Sequence, residues 1–177
     1  FVFFEIAVIP MYLLIGIWGS GPREYSAMKL TLMLMGASAV LLVGILGIYF
    51  NSNADGGALT FNILDIAQVH IPLAAQKLFF PFVFIGFAVI SALFPFHTWL
   101  PYAHGQAPTI GSVILAAILL KMGTYAFIRF SLPLFPDAST FFMFPIAIIS
   151  IIMIIYTARV AYAQEEVKQV VAYSSVS

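Results

Sequence analysis

The sequence predicts an all-α, polytopic transmembrane helical bundle in which one helix is discontinuous. Three observations carry that prediction. Of 177 residues, 63% are hydrophobic and only 8% charged, whereas an ordinary soluble domain is about 25% charged. Apolar runs long enough to cross a bilayer core of about 30 Å as a helix, roughly 20 residues each, recur along the chain. One of these runs is interrupted by Pro95 and Pro101, and a proline inside a helix removes a backbone hydrogen bond and clashes with the preceding turn. The mean hydropathy of +1.08 leaves too little polar surface to cover a water-soluble core of this size. The runs are continuously apolar instead of alternating, which favours helices over a membrane barrel.

Five spans follow in order. The first runs from Phe1 to about Gly19 and stops at the breaker Gly19-Ser20-Gly21-Pro22. The second runs from about Met28 to Phe50. The third begins after Lys77, and the uncharged stretch from Leu78 to Leu120 must hold both it and the start of the next. The region from Pro95 to Pro108 divides them. The fourth span is about Thr109 to Ser131, closed by Leu132-Pro133-Leu134-Phe135-Pro136, and the fifth is about Phe141 to Ala163. The run from Glu165 to Gln169 reads as a solvated turn with an amphipathic start, and the closing Ala172-Tyr173-Ser174-Ser175-Val176-Ser177 reads as part of a sixth helix start. Between Asn51 and Gln76 the sequence turns polar and carries Gly56-Gly57, which reads as a surface loop with room for a short hairpin. Residues 1–177 are thus one membrane domain, and the absence of an initiating Met or a basic leader at Phe1 reads as an internal fragment of a longer chain.

Composition excludes several functions. The net charge is zero, so no basic surface points to nucleic acid. With no cysteine, disulfides, thiolate metal sites and cysteine-ligated clusters are ruled out on this chain. No phosphate loop, dinucleotide loop or nucleophile triad is present. Arg23, Lys29, Arg159 and Lys168 fall on one side of the predicted spans, and Lys77 and Arg129 on the other. That bias places the first group on the cytoplasmic side.

Lys121 is the residue that most demands explanation. It lies near the middle of the fourth span, in Leu119-Leu120-Lys121-Met122-Gly123, roughly 15 Å from either end at 1.5 Å per residue. An ammonium at that depth costs about 3 kcal/mol even on lenient insertion scales, so it is expected to face protein or water and to be functional. Burial penalises its charged form and so prepares it to exchange protons. The structural alternative is a lysine bonded to carbonyls of a neighbouring helix. Ala117, Thr124 and Tyr125 share its face at helical spacing.

Glu5 lies well inside the first span, ahead of Pro10, which cannot donate to the Ile6 carbonyl. It is either a buried, protonatable carboxyl or an interfacial one. His97 and His104, seven residues apart around the proline-rich break, would share a helical face and could pass protons at neutral pH. Two histidines alone make a poor metal set, so no metal is expected. The plain reading of both is interfacial, beside Trp99 and Tyr102.

The run Phe94-Pro95-Phe96-His97-Thr98-Trp99-Leu100-Pro101, then Ala103-His104-Gly105-Gln106-Ala107-Pro108-Thr109, then Ile118-Leu119-Leu120-Lys121-Met122-Gly123-Thr124-Tyr125, resembles one family. So do Phe3-Phe4-Glu5-Ile6 and the ending from Lys168 to Ser177. The family is the antiporter-like, proton-conducting chain M (chain 4) of NADH-quinone oxidoreductase, respiratory complex I. The resemblance covers essentially the whole chain in the right order. It implies a subunit of roughly fourteen helices, these being the fifth to the ninth and the start of the tenth. It also implies proton translocation coupled to quinone reduction elsewhere in the complex. No cofactor is then expected on this chain, and its partners would be other membrane subunits of the complex, the lipid bilayer and protons. By position, Glu5 is the family's fifth-helix glutamate, Lys121 its central proton-relaying lysine, and the Pro95 region its broken seventh helix.

Two positions depart from the family. Ile90 stands where the family has a lysine that pairs with its glutamate, and Tyr102 stands where Asp follows Trp-Leu-Pro. Lys77 is too far along the helix to replace that lysine. The readings that remain beside complex I are a subunit of a related cation/proton antiporter or membrane-bound hydrogenase, and a non-conducting membrane scaffold.

Overall fold

The computed structural model describes residues 1–53 and 56–177. The described residues fold as helices joined by short turns: α1 (Val2–Trp18), α2 (Arg23–Asn51), α3 (Ile63–Ile66), α4 (Leu73–Ile90), α5 (Trp99–Gln106), α6 (Thr109–Ile114), α7 (Leu120–Ala126), α8 (Leu132–Leu134), α9 (Pro136–Tyr162) and α10 (Val167–Val176). Among the described residues, four stretches are long and apolar enough to cross a membrane: Arg23–Asn51, Leu73–Ile90, Thr109–Leu134 and Pro136–Tyr162. The remaining predicted span, α1, is apolar but shorter, at 17 residues. Helix α1 runs through Pro10 without a break.

Several helices begin earlier than hydropathy alone suggests. Pro22 and Pro72 immediately precede α2 and α4, and Pro136 opens α9. A proline there gives up an amide that has no helical partner anyway and presets φ for the first turn.

Helix α2 is the centre of the bundle and packs against α1, α4 and α5. It meets α4 closely because each helix presents a glycine to a larger side chain of the other: a Cβ on Gly86 would sit 2.7 Å from the Leu41 Cβ, and one on Gly44 would overlap the Val83 side chain. Small residues of this kind let membrane helices approach and gain dispersion contacts where lipid supplies no hydrophobic drive. Leu30, Leu34, Leu41, Phe80, Val83 and Trp99 form the buried centre of this packing. Gln76 ties α4 to α9. Its Nε2 donates to the Ile71 carbonyl at 2.9 Å and to Asp137 at 3.4 Å, while its Oε1 accepts from the Ala138 amide at 3.3 Å.

Between Asn51 and Gln76 the chain forms a capped helical turn. Asn62 caps α3 by accepting from the Leu64 amide, and Phe61 stacks on Tyr49 at 4.1 Å. Among the described residues of this segment there is no hairpin; residues 54 and 55 of the predicted loop lie outside the described residues.

Candidate functional site

The discontinuity lies at residues 91–98, which include His97 and lead into the helix that carries His104. Helix α4 ends with two backbone bonds, from the Ala92 amide to the Val89 carbonyl and from the Leu93 amide to the Ala88 carbonyl at 2.7 Å. These are the paired bonds of a Schellman ending, which needs a left-handed residue just past the helix. Ala92 fills that place with φ +54°, where glycine is the usual choice. After the cis Phe94-Pro95 bond, one 3-10 turn (Phe96–Thr98) leads into α5. Pro101 falls within the first turn of α5 and does not interrupt it. The Trp99 indole Nε1 donates back to the Val89 carbonyl at 3.0 Å, fixing the second half of the broken helix to the first.

Lys121 lies in α7, between two π-helical turns, Leu115–Leu119 and Phe127–Ser131. Each π turn loosens the regular backbone ladder, a feature that concentrates at functional sites. Local sequence gives no signal for them. Two residues on, Gly123 abuts the helix break: a Cβ there would lie 2.8 Å from the Ser91 amide nitrogen and 3.0 Å from Ile90 Cγ2. The missing side chain lets α7 press against the end of α4.

The burial expected for Lys121 is not met within the described chain. Leu115, Leu119, Leu120 and Gly123 turn inward, and Lys121, Ala117, Thr124 and Tyr125 lie exposed on the opposite side of the span. The physical reason is the angular position of Lys121, since the face that packs on α4 is the Leu120–Gly123 side. An uncovered ammonium at mid-membrane depth is expensive, so this polar face needs protein or water against it.

Glu5 is half-buried in α1, and its carboxylate accepts a hydrogen bond from the Ser38 hydroxyl of α2. Ser38 was not among the residues that the sequence singles out. Its signal is faint: one hydroxyl within the small-residue run Gly36-Ala37-Ser38-Ala39. The structure does not bring Glu5 and Lys121 into contact. A cavity of about 330 Å³ lies between their helices, and its wall includes Phe4, Val83, Phe87, Ile90, Met122 and Gly123. Its lining is largely hydrocarbon. Ile90, only 3% exposed, is part of that wall.

His97 and His104 are both 5% exposed, so each is buried within the packed helices. Trp99 is fully buried beside them, while Tyr102 is exposed. The His97 ring lies between Phe94 and Tyr156, each 5.7 Å away between centroids. The His104 carbonyl accepts from the Ser112 hydroxyl at 3.1 Å, linking α5 to α6. Among the described residues, Nδ1 of His97 and both ring nitrogens of His104 have no hydrogen-bond partner. Buried polar atoms of this kind normally find a partner or an ordered water, which makes the histidine pair suited to holding water. Lys168 on α10 reaches the Ala107 carbonyl at 3.4 Å at the end of the same helix.

Three further cations are engaged elsewhere. Lys29 lies over the Tyr102 ring at 4.1 Å, joining α2 to α5, and Lys77 lies over Phe141 at 4.2 Å. Arg23 donates to the Ile17 carbonyl at 2.8 Å. No group of three or more His, Cys, Asp or Glu residues suited to a metal occurs among the described residues.

Comparison with known proteins places these features in a family context. The sequence pattern of the family described as NADH:quinone oxidoreductase/Mrp antiporter, transmembrane region, matches residues 1–177. NADH-quinone oxidoreductase subunit M of Rickettsia prowazekii is 48% identical over 177 residues, which is 100% of this chain and 35% of that protein. Among solved structures, a chain of respiratory complex I from Thermus thermophilus with bound NADH superposes with a TM-score of 0.87 at 29% identity, covering 99% of this chain and 37% of that one. A chain of the membrane-bound sulfane sulfur reductase, an archaeal respiratory membrane complex, gives a TM-score of 0.83 at 28% identity over 99% of this chain and 35% of that one. The chain therefore spans about a third of the length of the relatives it matches.

Proposed function

Because the chain belongs to the NADH:quinone oxidoreductase/Mrp antiporter transmembrane family, we propose that it is part of a proton-translocating membrane subunit of NADH-quinone oxidoreductase. Its protons move across the bilayer while quinone is reduced elsewhere in the complex. The observation that carries this reading is Lys121: a lysine at mid-span, flanked by two π turns, on a helix whose Gly123 abuts the break. A lysine in that place is expensive unless it works, and the loosened backbone around it can accommodate water and a change of charge.

In this reading Lys121 takes up and releases the translocated proton. Glu5 modulates that step from the neighbouring helix, and His97 and His104 hold water that links α5 to the path. The chain itself carries out no redox step and holds no cofactor. Its partners are the other membrane subunits of the complex and the surrounding lipid, in a bacterial plasma membrane.

Replacing Lys121 by Met in the intact, assembled complex tests the reading. The expected result is quinone reduction with proton pumping lost or sharply reduced in sealed vesicles, at normal assembly. Unchanged pumping would favour a non-conducting scaffold, the reading that Ile90 supports by removing the family's paired lysine. A related cation/proton antiporter remains the other alternative, because the family includes such proteins. Sodium-driven transport by the intact protein, without quinone reduction, would favour it.

A further inference from the structure

We propose that Ser38 is the positioning residue of Glu5: its hydroxyl holds the carboxyl group against α2 in both protonation states, in the place where a cationic partner is missing. The proposal rests on the reading of Glu5 as part of the proton path.

The default for a hydroxyl in an apolar helix is to bond backwards to the carbonyl four residues earlier. Helix α2 shows this at Ser26, which donates to the Pro22 carbonyl, and at Thr31, which donates to the Ala27 carbonyl. Ser91, Ser150 and Thr157 make the same bond elsewhere in the chain. Ser38 departs from this pattern. It is 4% exposed, and its hydroxyl crosses to Glu5 on α1, 33 residues away.

The chemistry of the pair suits a carboxyl that gains and loses a proton. A hydroxyl carries one donor and two acceptor lone pairs and rotates freely. It donates to the carboxylate, and after protonation it accepts from the carboxylic acid. Glu5 therefore keeps a hydrogen bond in either state, with no fixed charge beside it. A lysine partner would favour only the ionised state. Ile90, at the position of the expected lysine, contributes a hydrocarbon wall to the cavity between α1 and α7. Lys29, Lys77 and Arg23 are each engaged at other sites. Among the described residues, the Ser38 hydroxyl is the side-chain partner that Glu5 has.

The test uses the assembled complex in sealed membrane vesicles, with proton pumping measured per quinone reduced and normalised to the amount of complex. Ser38→Ala is expected to lower Glu5-dependent pumping by roughly tenfold, the scale of a lost hydrogen bond to a charged group. Ser38→Thr keeps the hydroxyl and is expected to restore most of it. In a Glu5→Gln background, Ser38→Ala should add no further loss, because the two residues act as one unit. Equal losses from Ser38→Ala with and without Glu5, or a Thr variant as defective as the Ala variant, would overturn the assignment in favour of a packing role. Normal pumping in Ser38→Ala alongside a defective Glu5→Gln would overturn the Ser38 assignment alone. Normal pumping in Glu5→Gln itself would overturn the role of Glu5 as well.

Discussion

The Trp99 indole donates to the Val89 carbonyl at 3.0 Å, so one residue of α5 is bonded to the last turn of α4 across the break between them. The same carbonyl also accepts the Ala92 amide. Trp99 is fully buried, and its bond ties the start of α5 to the end of α4. Replacing Trp99 by Phe removes the donor and leaves a small void. We expect a destabilisation of about 2 kcal/mol, visible as a lower thermal unfolding midpoint in detergent.

Ala92 adopts a left-handed backbone in the Schellman ending of α4. For an alanine this conformation costs about 1–2 kcal/mol, and glycine avoids that cost. Ala92→Gly is therefore expected to stabilise the folded subunit by up to about 1 kcal/mol, once the greater freedom of glycine in the unfolded chain is offset. A denaturation curve showing the Gly variant clearly less stable would contradict the strain argument.

Gly123 is the contact through which the Lys121 helix meets the end of α4. A methyl group there would have to sit 2.8 Å from the Ser91 nitrogen, a backbone atom that cannot rotate away. Gly123→Ala should push α7 outward and cost about 1–3 kcal/mol, the range for overpacking a tight contact. Because Lys121 moves with α7, pumping should fall by more than the loss of assembled complex. Gly105, where nothing lies within 4 Å of an added Cβ, supplies the control: Gly105→Ala should leave both quantities near the parent values.

Ile90 faces the apolar cavity between the helices of Glu5 and Lys121. Ile90→Lys places an ammonium in that wall, at an expected cost of about 3 kcal/mol where no partner receives it. If Glu5 can reach the new charge, the cost will be smaller with Glu5 present than in the Glu5→Gln background. Equal drops in unfolding midpoint on Ile90→Lys in the two backgrounds would show that the cavity keeps the positions apart.

Much of the architecture was legible in the chain because the bilayer imposes a local rule. Any span must be about 20 apolar residues long and satisfy its own backbone, so the long apolar runs and the proline interruption are visible without reference to neighbours. The depth of Lys121 follows from the same counting. The element ends moved by a few residues where Pro22, Pro72 and Pro136 started helices early. The surface loop, which had room for a short hairpin, contains the Asn62-capped turn instead, for which a short polar segment carries no strong signal.

The sequence by itself determined that this protein is a membrane helical bundle with a broken helix, and that Glu5 and Lys121 stand within apolar runs. Its departures at Ile90 and Tyr102 were visible there too. Only the tertiary structure decided which partners those residues meet. It paired Glu5 with Ser38, set Ile90 and Gly123 against each other, laid Lys29 over Tyr102, buried both histidines and turned Lys121 to the outer face. The physical reason is that depth and helicity depend on residues adjacent in the chain. Side-chain partnership depends on how helices distant in sequence rotate and pack, and apolar periodicity is weak where both lipid and core are hydrophobic.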